Sequence, residues 1–227
     1  MIGRLRGLGI VLGIIGFVFV AAGAFAFMKT QEGYTSLSKF SAAQGVELSY
    51  NEDGQLVDRG ETAGADAIMA LLTDEWGYPV VASELDPADP VVNTGSEYMF
   101  QMATVAYHTL NSTQTVILAE DVEYNGEVFK AGTYEFDVDG RYWADFDRQH
   151  PIEGAARAQA WTGVAHALIG ELGVGTVTAS ALQLGLALAG LFAGVGGTFI
   201  LAGAGLVWAT RAEAAKVPVL RQAGVTI

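Results

Sequence analysis

Two uncharged apolar runs, Leu8 to Met28 and Leu172 to Thr210, bracket a middle stretch in which apolar and polar residues alternate at the short periods of a water-exposed fold. The first run has 21 residues. At about 1.5 Å of rise per residue, a helix of that length crosses the roughly 30 Å hydrocarbon core of a bilayer once. The second has 39 residues, too many for one simple span, so Leu172 to about Thr178 is expected outside the lipid and Ala179 to Ala209 inside it. Thr176, Thr178, Ser180 and Gln183 make its outer end more polar than its middle, and Trp208 sits where an aromatic interface anchor belongs. This pattern divides the chain into an N-terminal transmembrane helix over 1–29, a middle domain over 30–171, a C-terminal transmembrane helix with an outer extension over 172–211, and a tail over 212–227.

Shorter periods mark the elements of the middle domain. Ser36 can cap a short helix with Leu37, Phe40 and Ala43 on one face, stopped at Gly45 and able to continue the first span. Val46, Leu48 and Tyr50 alternate with polar residues, and Asn51-Glu52-Asp53-Gly54 offers a hairpin turn before Leu56. Ala67, Ile68, Leu71 and Leu72 predict a helix over Ala63 to Trp76, with Thr62 before it and Gly77 after. Asp86-Pro87-Ala88-Asp89-Pro90 reads as a surface loop, because each proline lacks a donor and restricts its predecessor. A second helix is expected over Gly95 to Leu110, with a stripe of Tyr98, Met102, Val105 and Ala106 and a cap at Asn93 or Thr94.

Strand signals follow at Thr115 to Leu118, Val122 to Tyr124, Val128 to Phe129 and Thr133 to Val138, with turns at Asn125-Gly126 and Ala131-Gly132. Beyond Pro151, Ile152 to Leu172 predicts one long helix leading into the second span, loosened at Gly170, Gly173 and Gly175. The fold class expected is α+β: a small antiparallel sheet with two helices covering one face, forming an extracytoplasmic domain between two transmembrane helices.

Charge orients this layout. Arg4 and Arg6 precede the first run, and Arg211, Lys216 and Arg221 follow the second against the single acid Glu213, so both termini are expected in the cytoplasm. The segment from Lys29 to Glu171 holds 24 of the 25 acidic residues and 7 basic ones, a net charge of −17. Such a domain is suited to the outer face of the cell membrane and unsuited to nucleic acid. Arg4, Arg6, the apolar centre and Ala24-Phe25-Ala26 also match a secretory signal peptide, although the apolar stretch is longer than the usual signal core. The chain has no cysteine, which excludes disulfides and thiolate ligands and leaves stability to packing.

Little in the domain names a reaction. His108, His150 and His166 are the whole supply for a histidine metal site, with Glu97, Asp145, Asp147 or Glu153 able to add a carboxylate, and no HExxH or adjacent-turn spacing joins them. Asp137-Val138-Asp139-Gly140 with Asp145 and Asp147 has the oxygen density of a calcium loop, but its glycine stands at the fourth position where an EF-hand requires the sixth. No nucleophile elbow, Ser-x-x-Lys or phosphate loop occurs. Catalytic, metal and cofactor-binding residues are therefore expected to be none.

The apolar runs carry more. Gly9-x-x-x-Gly13 with Gly16 and Gly23 in the first, and Gly190-x-x-x-Gly194 with Gly197, Ala189, Ala193, Gly196, Gly203 and Gly205 in the second, allow helix backbones to approach closely in lipid. Gly9, Gly13, Gly16, Gly190, Gly194 and Gly197 are the expected helix-packing positions, against the other span or a further integral membrane protein. Arg141, Tyr142, Trp143 and Phe146 form an aromatic and charged patch read as core packing or a partner surface.

This layout, with Gly126 to Val138 and the run from Gly140-Arg141-Tyr142-Trp143 through Leu172-Gly173-Val174-Gly175, resembles two-span membrane proteins of uncharacterised function from high-GC Gram-positive bacteria. The resemblance implies no activity. The expected role is a non-enzymatic accessory or scaffold subunit docked in the bilayer against other membrane subunits. The alternatives are a membrane-tethered binding or sensing module and an anchored extracytoplasmic hydrolase.

Overall fold

The computed structural model describes residues 2–222, with side chains described as far as Arg211. The chain is mostly helical, with two small antiparallel sheets in a middle region flanked by two long apolar helices packed together. It forms two compact units: residues up to Leu37 with those from Ser180 onward, and Ser38–Ala179.

The first unit is a pair of helices. Helix α1 runs unbroken over Ile2–Gln44, 43 residues. It ends as the Ser36 to Gly45 pattern predicts, with Gly45 at φ 62° and its amide bonded to the Ser41 carbonyl at 3.0 Å. Helix α5 spans Gly163–Gln222. Both are long and apolar enough to cross a membrane. Their outward faces carry Phe17 at 69% exposure and Leu201 at 75%, which in water would form an apolar surface far beyond what a monomer tolerates.

The middle unit is built from shorter elements. Helix α2, Thr62–Ala70, passes into a π-helical turn at Leu71–Glu75, where the Trp76 amide reaches back five residues to the Leu71 carbonyl at 3.0 Å. Gly77, at φ 65°, ends the helix as expected. Helix α3 occupies Gly95–Leu110 and begins in a capping box: Thr94 Oγ1 accepts from the Glu97 amide at 3.4 Å, and Glu97 Oε2 accepts from the Thr94 amide at 2.8 Å. Its buried face is Tyr98, Phe100, Ala103, Ala106 and Leu110, shifted from the predicted stripe, whose Met102 and Val105 are half-buried.

The strands are β1 Thr113–Leu118, β2 Val122–Tyr124, β3 Glu127–Phe129 and β4 Gly132–Asp137. β1 pairs with β4 from Thr113↔Asp137 to Leu118↔Gly132, and the β2–β3 hairpin is a separate sheet in the intervening chain. Asn125 at φ 51° and Gly126 at φ 82° give it the left-handed turn that Asn-Gly predicts. On the outer face Thr113 and Thr115 donate to Asp137 at 2.6 Å and Glu135 at 3.0 Å.

Three expectations are corrected. The Val46 to Leu56 hairpin is shorter than expected: it keeps the Tyr50↔Leu56 bridge, with Asn51 N to Gln55 O and Val57 N to Ser49 O both at 2.9 Å, around a turn in which Asn51 Oδ1 takes the Asp53 and Gln55 amides. Val46 to Leu48 instead pairs with residues 90–92, Leu48 N to Pro90 O at 2.8 Å and Val92 N to Val46 O at 2.9 Å. The stretch Ile152 to Leu172 is two helices, α4 Glu153–Ala160 and the start of α5, separated at Trp161 and Thr162. Trp161 leaves helical geometry to bury its ring, and Thr162 Oγ1 caps α5 through the Ala165 amide at 3.1 Å. The glycines at 170, 173 and 175 do not interrupt α5. Finally, α4 covers the β1–β4 sheet, through Ile152 and Ala156 against Val116. Helices α2 and α3 share another core, in which Leu71, Ala106 and Leu110 meet Val138, Phe146 and Trp161.

Glu97 is 2% exposed, and burial holds its carboxyl above the ordinary value of 4.5 despite its bonds to the Asn93 and Thr94 amides. A carboxyl raised on folding contributes stability that is fully present below the unfolded value and is lost as pH rises through the folded value. Glu97→Gln keeps an oxygen for both amides without the charge. In denaturation experiments it should gain on the natural protein as pH rises above about 4.5, the range in which the buried carboxyl loses its advantage. Thr94→Ala should cost about 1 kcal/mol across the same range.

Candidate functional site

In the paired helices the seam is built from residues seven apart. Gly9, Gly16, Gly23 and Thr30 are buried along α1, and Ala189, Gly196, Gly203 and Thr210 along α5. They meet antiparallel. A Cβ on Gly16 would stand 2.6 Å from the Gly196 carbonyl oxygen, one on Gly9 2.7 Å from that of Gly203, and one on Gly23 2.9 Å from that of Ala189. The reverse contacts are equally close: a Cβ on Gly196 would lie 2.6 Å from the Gly16 oxygen, and one on Gly203 would collide with the Gly9 oxygen. Backbone rests on backbone, and any side chain at these positions would drive the helices apart. A seven-residue repeat drifts by only about 20° per step around a straight helix, so a slight left-handed supercoil keeps it in register along the whole seam.

This geometry divides the expected packing glycines. Gly9 and Gly16 lie on the seam. Gly13 lends only its backbone: its amide nitrogen is 2.8 Å from a Cβ on Gly203, while a Cβ of its own would meet nothing within 4 Å. Gly190, Gly194 and Gly197 likewise face open space. They share a face roughly 120° round α5 from the Ala189, Gly196 and Gly203 line. Next to that face, Val20, Ala24 and Phe27 of α1 and Leu186, Gly190 and Ala193 of α5 help to line an apolar groove of about 550 Å³. The contacts that the four-residue spacing passes over are those of Gly196 and Gly203; the seven-residue recurrence of small residues is the signal that finds them.

Of the Arg141, Tyr142, Trp143 and Phe146 patch in the middle unit, Phe146 is buried, Arg141 and Trp143 are half-buried and Tyr142 is exposed. Phe146 is 5% exposed and belongs to the core. The Arg141 guanidinium lies 4.7 Å over the Phe136 ring and donates to Glu153 Oε1 at 3.0 Å, an oxygen that also takes the Asp147 amide at 2.9 Å. Tyr142 stacks on Trp161 at 5.9 Å, and its hydroxyl accepts from Trp76 Nε1 at 2.8 Å. Trp161 Nε1 donates to the Arg141 carbonyl at 3.1 Å. Trp143 carries the Arg157 guanidinium 3.7 Å over its face and meets the His166 ring at 4.8 Å. The cluster braces the α4–α5 break. Trp76, Arg157, Trp161 and His166 complete it from distant parts of the sequence, where no local pattern announces them.

The histidines are separately employed. His108 Nε2 is 2.9 Å from Asp58 Oδ1. His150 Nδ1 accepts the Ile152 and Glu153 amides at 3.2 and 3.1 Å and so caps α4. His166 Nδ1 is 3.0 Å from the Thr162 carbonyl. The acids of the Asp137 to Asp147 segment also diverge. Asp137 takes the Thr113 hydroxyl, Asp145 the Tyr142 amide at 2.9 Å, and Asp147 the Tyr124 hydroxyl at 2.7 Å, a bond that holds the Asp147 carboxyl below its ordinary range. Asp139 and Gly140, at φ 49° and 74°, form a sharp turn between them. Among the described residues, no three histidine, aspartate or glutamate side chains converge as a metal-holding group. Beside the π-helical turn lies a hollow of about 400 Å³, floored by Ala67, Leu71 and Leu110, walled by Tyr107 and rimmed by Asp74 and Glu75.

The two glycine faces of the apolar pair predict opposite responses to the same substitution. Gly16→Leu should lower the thermal unfolding midpoint in detergent, at a cost of about 1–3 kcal/mol from forced separation of the helices. Gly194→Leu should leave the midpoint unchanged, because its side chain enters open space.

No family model, curated protein or solved structure matches this chain.

Proposed function

We propose that the protein is an accessory or scaffold subunit, without enzymatic activity, of a larger complex in the cell membrane. In this reading the two long helices cross the bilayer, both termini are cytoplasmic and the acidic middle region lies outside. The flanking charges support that orientation: Arg4 and Arg6 before the first span and Arg211, Lys216 and Arg221 after the second. The net charge of −17 between Lys29 and Glu171 supports an extracytoplasmic position for the middle region. The same reading groups the chain with the two-span membrane proteins of high-GC Gram-positive bacteria that its layout resembles.

The observation that carries the docking role is the second glycine face of α5. Gly190, Gly194 and Gly197 have open space where a side chain would stand. Contact with lipid alone sets no requirement for glycine at i, i+4 and i+7, whereas a further helix approaching closely does. A second reading, a tethered binding or sensing module, draws support from the hollow at the π-helical turn, whose volume of about 400 Å³ falls in the range of small-molecule sites.

Crosslinking in cells followed by purification in mild detergent should recover a stoichiometric membrane partner. The triple variant Gly190→Leu, Gly194→Leu, Gly197→Leu should lose that partner while keeping the unfolding midpoint of the natural protein. A crosslinked product that is monomeric, or a partner retained by the triple variant, would refute docking through this face.

A further inference from the structure

Tyr98 stands where three elements of the middle unit meet. It is the fourth residue of α3, directly after the capping glutamate, and is 6% exposed. Its hydroxyl lies 2.8 Å from Ser41 Oγ in the last turn of α1, and both groups are shut from solvent. Its ring fills the space that Gly175 of α5 leaves: a Cβ there would be 2.5 Å from ring atoms Cδ1 and Cε1. One turn along α3, Met102 Sδ sits 4.0 Å from the corresponding point on Gly173. One aromatic side chain thus touches the end of α1 through a hydrogen bond and α5 through close packing. Thr176, beside that packing, is buried with its hydroxyl returned to the Leu172 carbonyl at 3.1 Å.

We propose that Tyr98 is a conformational latch, holding the last turn of α1 and the Gly175 region of α5 at one spacing and delivering any displacement of α3 to both. The ring and the hydroxyl have separable parts in this. Gly175 admits the ring and so sets the distance from α3 to α5; a larger residue must push the ring away. Ser41 fixes the hydroxyl end, and a buried hydroxyl that loses its partner is strongly disfavoured, which holds the α1 contact at hydrogen-bonding distance. Helix α3 is suited to act as the lever. Its N-terminus is locked by the capping box, and its other end, with Tyr107 and Leu110, lines the hollow beside the π-helical turn. This device requires no partner protein and would stand if the chain were a monomer.

The chain contains no cysteine, so Phe40→Cys and Val174→Cys, both exposed positions, can carry a unique pair of spin labels on the full-length protein in lipid nanodiscs. The natural latch should give one narrow distance distribution. Tyr98→Phe and Ser41→Ala, which keep the ring in place, should each add a second population. Gly175→Val should move the mean by about 1–2 Å, the scale of packed-helix shifts. Circular dichroism matching the natural protein identifies the folded variants. Tyr98→Phe differs by a single oxygen, so an unchanged mean and width in folded Tyr98→Phe and Ser41→Ala would overturn the latch, whether or not Gly175→Val folds.

Discussion

Two polypeptide backbones in direct contact are the constraint on which the apolar part of this protein rests. For two helices long and apolar enough to cross a membrane, hiding leucine from lipid would gain nothing, and closeness would have to supply the attraction. Gly9, Gly16 and Gly23 against Gly203, Gly196 and Ala189 provide that closeness, with carbonyl oxygens standing where side chains would otherwise be. The contact determines direction, register and rotation together. Once it forms, Phe17, Phe25, Leu191 and Leu201 must point outward. Phe19 then comes against Phe192 and Phe199 at 5.8 and 6.2 Å beside the seam. The threonines that continue the repeat, Thr30 and Thr210, fit because they are small, and the Thr210 hydroxyl is satisfied by the Leu206 carbonyl at 2.9 Å.

The middle unit solves a different problem. It is strongly acidic, and its ion pairs include His108 with Asp58, Lys130 with Asp121 and Arg141 with Glu153. Exposed pairs contribute little. Order comes instead from small apolar cores and from polar groups given fixed partners at element ends: the Thr94 and Glu97 capping box, His150 on the first amides of α4, and Thr162 at the start of α5. Aromatic rings join these ends. Trp161 is both the break between two helices and the surface on which Tyr142 stacks, so the discontinuity in the backbone is also a centre of packing.

Where a signal is local, the residues carry it legibly. The cap at Asn93 or Thr94 announces α3, Asn125-Gly126 announces the β2–β3 hairpin, and Gly45 and Gly77 mark helix ends, because each depends on backbone conformation within a few residues. Legibility fails where a choice between partners decides. Val46 to Leu48 alternates as a strand should, yet its partner is residues 90–92. The helix-forming composition of Ile152 to Leu172 is genuine, yet Trp161 gains more from burial than from continuing the helix. The four-residue glycine motif gives way to the seven-residue one because a seven-residue spacing stays close to one face along a helix, whereas repeated four-residue steps turn away from it.

The amino-acid sequence by itself determined two apolar helices of bilayer length, an acidic middle region with hairpins and capped helices, and the supply of small residues in both runs, all of which follow from composition and short-range spacing. Only the tertiary structure decided which glycines face the neighbouring helix and which remain open. It also buried Phe146 of the Arg141 to Phe146 patch while leaving Tyr142 exposed, and placed Tyr98 against Ser41 and Gly175. The reason is geometric: a side chain's facing is set by the rotation and register of its whole element, and those are fixed by contacts between residues far apart in the chain.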